Sequence, residues 1–197
     1  MSQQFHIGSP PFTDITEKQG IPFNSSFGTA LLKDKDNEKT IFLFGGYTSD
    51  NSTKFEISTL DVKSGNRNRP VTSGKVPERR LSIQGVIDDL GKIYIFGGAN
   101  FNGTSYFNDM IILNTNDLTW SYGPTFNTLL KKMAYTATLL SNGMIVYIGG
   151  QELTDGGQVR EVDINQISLY NTTSNTWKVE VCMIVIVTFF MKFSFTI

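Results

Sequence analysis

The chain has 197 residues, 40% of them hydrophobic and 18% charged, with 17 Lys and Arg against 18 Asp and Glu. That is enough apolar material for a core, without the basic excess that nucleic-acid binding draws on. Aromatics at 12% separate the composition from that of disordered chains. A single cysteine, Cys182, and a single histidine, His6, exclude a disulfide framework, multi-cysteine metal sites and any catalysis that needs several imidazoles.

Taken in chain order, the first residues carry neither a basic run nor an apolar one, so no signal peptide is visible and a cytoplasmic setting is expected. His6, in this polar stretch and without a partner in sight, reads as an ordinary exposed residue. Residues 26–32 (SFGTALL) read as a strand, 33–39 as a polar turn, and 41–46 (IFLFGG) as a second strand ending in Gly45 and Gly46. A third strand, 57–61, ends in Asp61, and a fourth is centred on Arg67. Asp34, Asp36 and Glu38 imitate half of a calcium loop. Lys39 and Gly45 stand where that loop needs Gly and Glu, so a solvated hairpin turn is expected.

The same order of elements returns twice. Residues 83–87, 93–98 (IYIFGG), 110–114 and Trp120 form a second unit; residues 135–140, 145–150 (IVYIGG), 167–171 and Trp177 form a third. Gly46, Gly98 and Gly150 stand 52 residues apart. The inner strands are joined by polar turns, among them Asn142-Gly143, a pair that tolerates the positive φ of a hairpin turn. Four short strands per unit, at a period near 50 and without helical periodicity, are the signature of a β-propeller. Glycines closing a strand permit close backbone approach, and a tryptophan supplies a large packing face between units.

On these residues the sequence resembles the kelch-repeat proteins. The kelch pattern of an apolar run to Gly-Gly, a strand, a turn and Trp stands at Gly97-Gly98, Asn108-Asp109, Asn114 and Trp120, and Pro77-Glu-Arg-Arg80 matches the Pro-x-x-Arg that often opens a unit. The third unit has Leu129 and Lys132 at those two positions, and the first has Arg67 in place of Trp. The resemblance implies an all-β, kelch-type propeller segment of about three four-stranded blades plus one strand of a preceding blade. Pro10 to Ile15 supplies that strand, with Phe12 in the Trp place. The units span about 20–67, 76–120 and 129–177 within a repeat segment 1–178, followed by an apolar tail 179–197. Propellers close with about 4–8 blades, so the expectation is a partial ring, either a piece of a longer chain or completed by a homodimer. The apolar residues 181–191 read as a buried strand, a short membrane anchor or an aberrant end, being fewer than the roughly 20 needed to span a bilayer.

Galactose oxidase shares this propeller resemblance, and its activity implies a copper site of two His and two Tyr, one Tyr cross-linked to Cys. With one His near the N-terminus and Cys182 in the apolar tail, this chain does not hold that set. No catalytic residues, metal or cofactor are expected. The four Asn-x-Ser/Thr sequons, at Asn24, Asn51, Asn102 and Asn171, are close to the number composition alone produces. Gly45, Gly46, Gly97, Gly98, Gly149 and Gly150, with Trp120 and Trp177, are assigned structural roles.

The loops after the Gly-Gly strands, 47–54, 99–107 and 151–164, emerge on one face, where a rigid scaffold presents binding residues. Tyr47, Phe101, Tyr106, Glu152, Asp155 and Arg160 are the candidate partner-binding residues, aromatics and Arg being what interface hot spots use. Phe107 reads equally as a binding or a packing residue. The expected function is a non-catalytic scaffold that binds a protein partner. The alternatives are a carbohydrate-binding propeller and a fragment of a membrane-anchored ectodomain.

Overall fold

A computed structural model describes residues 26–35, 38–47, 55, 57–124 and 131–181. The expected strand at 10–15 and the apolar run from Cys182 onward, like His6, lie outside these. The described chain is all-β.

The first blade is an antiparallel meander of β1 (Thr29–Lys35), β2 (Glu38–Phe44), β3 (Ile57–Asp61) and β4 (Arg67–Asn68), in that order. The second places β6 (Gly85–Ile87), β7 (Lys92–Phe96), β8 (Met110–Asn114) and β9 (Thr119–Tyr122) side by side, with β5 (Ser73–Gly74) added parallel to β9. The third is β11 (Thr136–Leu139), β12 (Met144–Ile148), β15 (Gln166–Asn171) and β16 (Thr176–Val181). Register follows the repeat. Leu60 pairs with Arg67, Leu113 with Trp120 and Tyr170 with Trp177, so Arg67 does occupy the tryptophan place of the first blade.

Two expectations are corrected. The polar turn at 33–39 is mostly strand: β1 and β2 stay paired out to Lys35 and Glu38, and Lys39 meets Asp34 at 2.8 Å across the hairpin. Residues 151–164 are not a loop. They hold the hairpin β13 (Gln151–Leu153) and β14 (Val159–Glu161), which joins β10 (Lys131–Met133) in a separate three-stranded sheet.

Burial comes from blade stacking. Phe42, Phe44, Phe55 and Ile57 of the first blade close on Ile93, Ile95, Ile111, Leu113 and Trp120 of the second. Tyr94, Phe96 and Met110 close on Tyr135, Ile145, Tyr147 and Tyr170 of the third, with Trp177 at the margin. The second sheet is therefore apolar on both faces, since period-2 alternation distributes its apolar side chains to two neighbours at once.

The Gly-Gly pairs seat one blade on the next. Gly45 and Gly97 have φ near +60°, a region L side chains avoid, and a Cβ on Gly45 would lie 2.6 Å from the Arg80 carbonyl oxygen. On Gly97 it would strike the Lys132 carbonyl oxygen in the same way. The following glycine uses the room: Gly46 N–H donates to Arg80 O at 3.0 Å and Gly98 N–H to Lys132 O at 2.8 Å.

Candidate partner-binding face

The residues after the Gly-Gly strands and the residues that open each blade meet on one face, because Ser26 bridges Tyr47, Leu81 bridges Ala99, and Met133 pairs with Gln151. At the junction of the first two blades, Tyr47 is 47% exposed and its ring stacks on Phe101, with centroids 5.2 Å apart and planes 9° apart. Two expected binding residues from different repeats thus form one platform. Beside it, an Asx turn orders the loop tip: Asn102 Oδ1 accepts from the Thr104 N–H and hydroxyl, and Asn100 Oδ1 accepts from Ser105 N–H.

Tyr106 is placed otherwise. It bridges Ala99, and this turns its ring inward to 8% exposure. It supports the loop and is not offered to a partner. Glu152 is also inside, at 3% exposure, where its position on β13 places it opposite Arg160 of β14. Arg160 Nε donates to Glu152 Oε1 at 2.7 Å, while the Arg160 side chain remains more than half exposed. Of this pair only the guanidinium is available at the surface. Asp155 lies exposed in the turn of the same hairpin.

Sequence reasoning missed what anchors the face from below. Arg80 is buried and forks onto Asp109, with Nη1–Oδ1 at 2.6 Å and Nη2–Oδ2 at 2.8 Å, while Nη1 also donates to Gly97 O at 2.9 Å. Phe107 lies under the guanidinium, 4.2 Å from its centre, which assigns it to packing and cation–π support. The signal was in the Pro-x-x-Arg and Asn-Asp of the second unit, but nothing in their spacing says that they meet. In the third blade Lys132 takes the Arg80 place, buried, with its Nζ 3.3 Å from Ser168 Oγ. Burial pulls its ammonium below the usual lysine range, opposed by the charge of Glu152.

Among the described residues, no three His, Cys, Asp or Glu side chains gather as metal ligands would. No helix among them is long and apolar enough to cross a membrane.

Blades of four antiparallel strands, clamped by Gly-Gly pairs and carrying an aromatic platform over an Arg–Asp fork, define a kelch-type propeller segment. The family model described as KLHDC2/KLHL20/DRC7 Kelch-repeats domain matches residues 12–186, and the chain belongs to this kelch-repeat family. Among curated proteins it is 31% identical over 153 residues to Kelch domain-containing protein 3 of Rattus norvegicus and of Mus musculus. The Homo sapiens protein of that name is 29% identical over the same length. Each match covers 76% of this chain, and the chain spans only 38% of the length of these relatives.

Proposed function

We propose that the chain is a non-catalytic interaction module which holds a protein partner on the face bearing Tyr47, Phe101 and Arg160. Membership of a kelch-repeat family supports the general role of an interaction scaffold. The observation that carries the finer reading is the Tyr47–Phe101 stack. An aromatic pair with Tyr47 exposed and Phe101 half-buried beneath it, already immobilised across two blades, offers contact area at little entropic cost, as interface hot spots do. Arg160 adds a cation on the neighbouring blade, held in place by a buried carboxylate.

The test uses the chain as bait in quantitative affinity capture, with three variants. Tyr47→Ala with Phe101→Ala is expected to lose the same captured protein that the wild type retains, at an unchanged melting temperature. Val71→Ala, which alters a residue 92% exposed away from the platform, is expected to retain it. Arg160→Ala is expected to weaken capture several-fold. A captured set indifferent to the aromatic pair overturns the assignment. Binding on a glycan array that depends on Phe101 replaces the protein partner with a carbohydrate.

A further inference from the structure

The sequence holds two Asn-Gly pairs, Asn102-Gly103 and Asn142-Gly143, and the fold treats them differently. An asparagine before glycine exposes its side-chain amide to attack by the next backbone nitrogen, because glycine has no Cβ to crowd the approach. Gly103 sits with φ +69° at the tip of the 99–107 loop, where an added Cβ would meet nothing within 4 Å. Asn102, Gly103, Thr104 and Ser105 are all exposed. Gly143 is held from the neighbouring turn instead. Its carbonyl accepts from the Thr172 N–H at 3.0 Å and from the Thr172 hydroxyl at 2.9 Å, and a Cβ on it would lie 3.1 Å from that hydroxyl.

The amide oxygens differ as well. Asn102 Oδ1 accepts from the Thr104 N–H at 3.1 Å and from the Thr104 hydroxyl at 2.6 Å. Asn100 Nδ2 donates to that hydroxyl at 3.3 Å, which leaves the hydroxyl proton committed to Asn102. When a nucleophile adds to the Asn102 amide carbon, negative charge develops on Oδ1, and donors already aimed there stabilise it as an oxyanion hole does. Asn142 Oδ1, among the described residues, accepts from the Met144 N–H alone, at 3.1 Å. A turn bond opposes the attack in each loop, from Gly103 N–H to Asn100 O and from Gly143 N–H to Leu140 O, both at 3.0 Å. That cost is common to both sites, so the Thr104 donors and the grip of Thr172 decide between them.

We infer that Asn102 is a site of spontaneous deamidation, selected over Asn142 by the geometry of its loop. Gly103 N gives up its proton to hydroxide and bonds to Asn102 Cγ, which places negative charge on Oδ1 between the two Thr104 donors. The Cγ–Nδ2 bond then breaks, Nδ2 takes a proton from water and leaves as ammonia, and a cyclic imide closes between residues 102 and 103. Water adds to either imide carbonyl, and ring opening gives aspartate or isoaspartate. The net change is one water consumed and one ammonia released, with no oxidant and no enzyme. The product carries a new carboxylate next to Phe101, and isoaspartate also adds a methylene to the main chain. Ageing at this position therefore alters the loop that seats the Tyr47–Phe101 stack. The chemistry holds whichever partner the face binds.

Ageing the 197-residue chain in buffer at neutral and mildly alkaline pH tests this. Peptide mass spectrometry follows each amide-to-acid change, and an isoaspartate-specific methyltransferase with a labelled methyl donor counts the isoaspartate. In the folded chain Asn102 is expected to convert several-fold faster than Asn142, and faster still as pH rises, because Gly103 N must lose its proton. In urea, where Thr104 and Thr172 no longer hold either site, the two rates are expected to converge. Thr104→Val keeps the β-branched shape and the N–H but removes the hydroxyl, and is expected to slow Asn102 several-fold while Asn142 in the same molecules keeps its rate. Thr104→Ser returns a hydroxyl and is expected to restore the rate, with far-UV circular dichroism reporting that each variant is folded. Equal rates at the two asparagines in the folded chain, or no conversion at Asn102, overturn the proposal. A rate ratio unchanged by urea, or a folded Thr104→Val chain that ages like the wild type, overturns it equally.

Discussion

Two tyrosines in one blade junction predict stability changes of opposite sign. Tyr147 is buried with its ring 5.2 Å from Tyr135, 5.3 Å from Trp177 and 5.9 Å from Phe96, yet its hydroxyl has no hydrogen-bond partner among the described residues. Burial raises its pKa well above the usual tyrosine value, reinforced by the neighbouring Tyr135 and Tyr170. An unsatisfied buried hydroxyl costs about 1–3 kcal/mol. Tyr147→Phe removes that cost and keeps every ring contact, so it is expected to stabilise the fold by about 1–2 kcal/mol. For a chain of this size, each 1 kcal/mol raises the melting temperature by about 2–4 °C. The Tyr135 hydroxyl, by contrast, donates a short hydrogen bond to Phe96 O and lies 3.3 Å from Gln84 O. Tyr135→Phe orphans a strand-end carbonyl and is expected to destabilise by about 1–2 kcal/mol. Urea unfolding followed by tryptophan fluorescence and far-UV circular dichroism measures both, with an unchanged m-value as the condition for comparing midpoints. A loss of 1 kcal/mol or more in Tyr147→Phe refutes the reasoning, because the hydroxyl would then have a partner such as an interior water.

Asp109→Ala leaves the buried Arg80 guanidinium without its carboxylate and is expected to cost about 3–5 kcal/mol in urea unfolding; a cost below about 1 kcal/mol removes the fork from the anchoring role. Gly97→Ala sets a Cβ on the Lys132 carbonyl at a positive φ and is expected to separate the second and third blades, seen as loss of protection of Gly98 N–H in hydrogen exchange. Wild-type protection there refutes the close-approach argument. In alkali, burial holds the Tyr170 hydroxyl up to about 12 and raises Tyr94 and Tyr135 as well. The folded state therefore keeps protons that the unfolded state releases near pH 10, and stability present below pH 10 is lost as pH climbs toward 12. Ultraviolet titration at the tyrosinate band is expected to show a late, unfolding-linked rise, and an early rise of all seven tyrosines near pH 10 contradicts it.

The parts of the fold that were legible are those in which one residue type has one physical use. Gly97 and Gly98 could be read as a blade clamp because the backbone there admits no Cβ, and Trp120 as a junction residue because little else in the chain is as large and apolar. The hairpin of β13 and β14 was not legible. Its strands read Gln-Glu-Leu and Val-Arg-Glu, polar sequences whose pairing is set by β10 beside them and not by a buried face. Tyr106 illustrates the same limit at the candidate site. An aromatic in a loop has two uses, and a single backbone bridge to Ala99 decides between them. Phe101, five residues earlier in that loop, stays half-buried and stacks on the exposed Tyr47 from another repeat.

The repeat itself explains why the site escapes composition and motif reading. A period of 52 residues fixes which positions are equivalent, but the platform and the glycine clamp join non-equivalent positions in neighbouring blades, and the Arg80 fork joins non-equivalent positions within the second. Phe101 meets Tyr47, Arg80 meets the Gly97 carbonyl as well as Asp109, and Gly98 meets Lys132. Each junction is thus built from two repeats read out of phase. The substitutions that distinguish one junction from the other, Arg80 to Lys132 and Asp109 to Gln166, change its charge, while the bonds from Gly46 and Ser82 in one recur from Gly98 and Ala134 in the other. A propeller built this way keeps one main-chain scaffold and varies the polar groups at its blade seams, so the chemical difference between one junction and the next lies in those side chains.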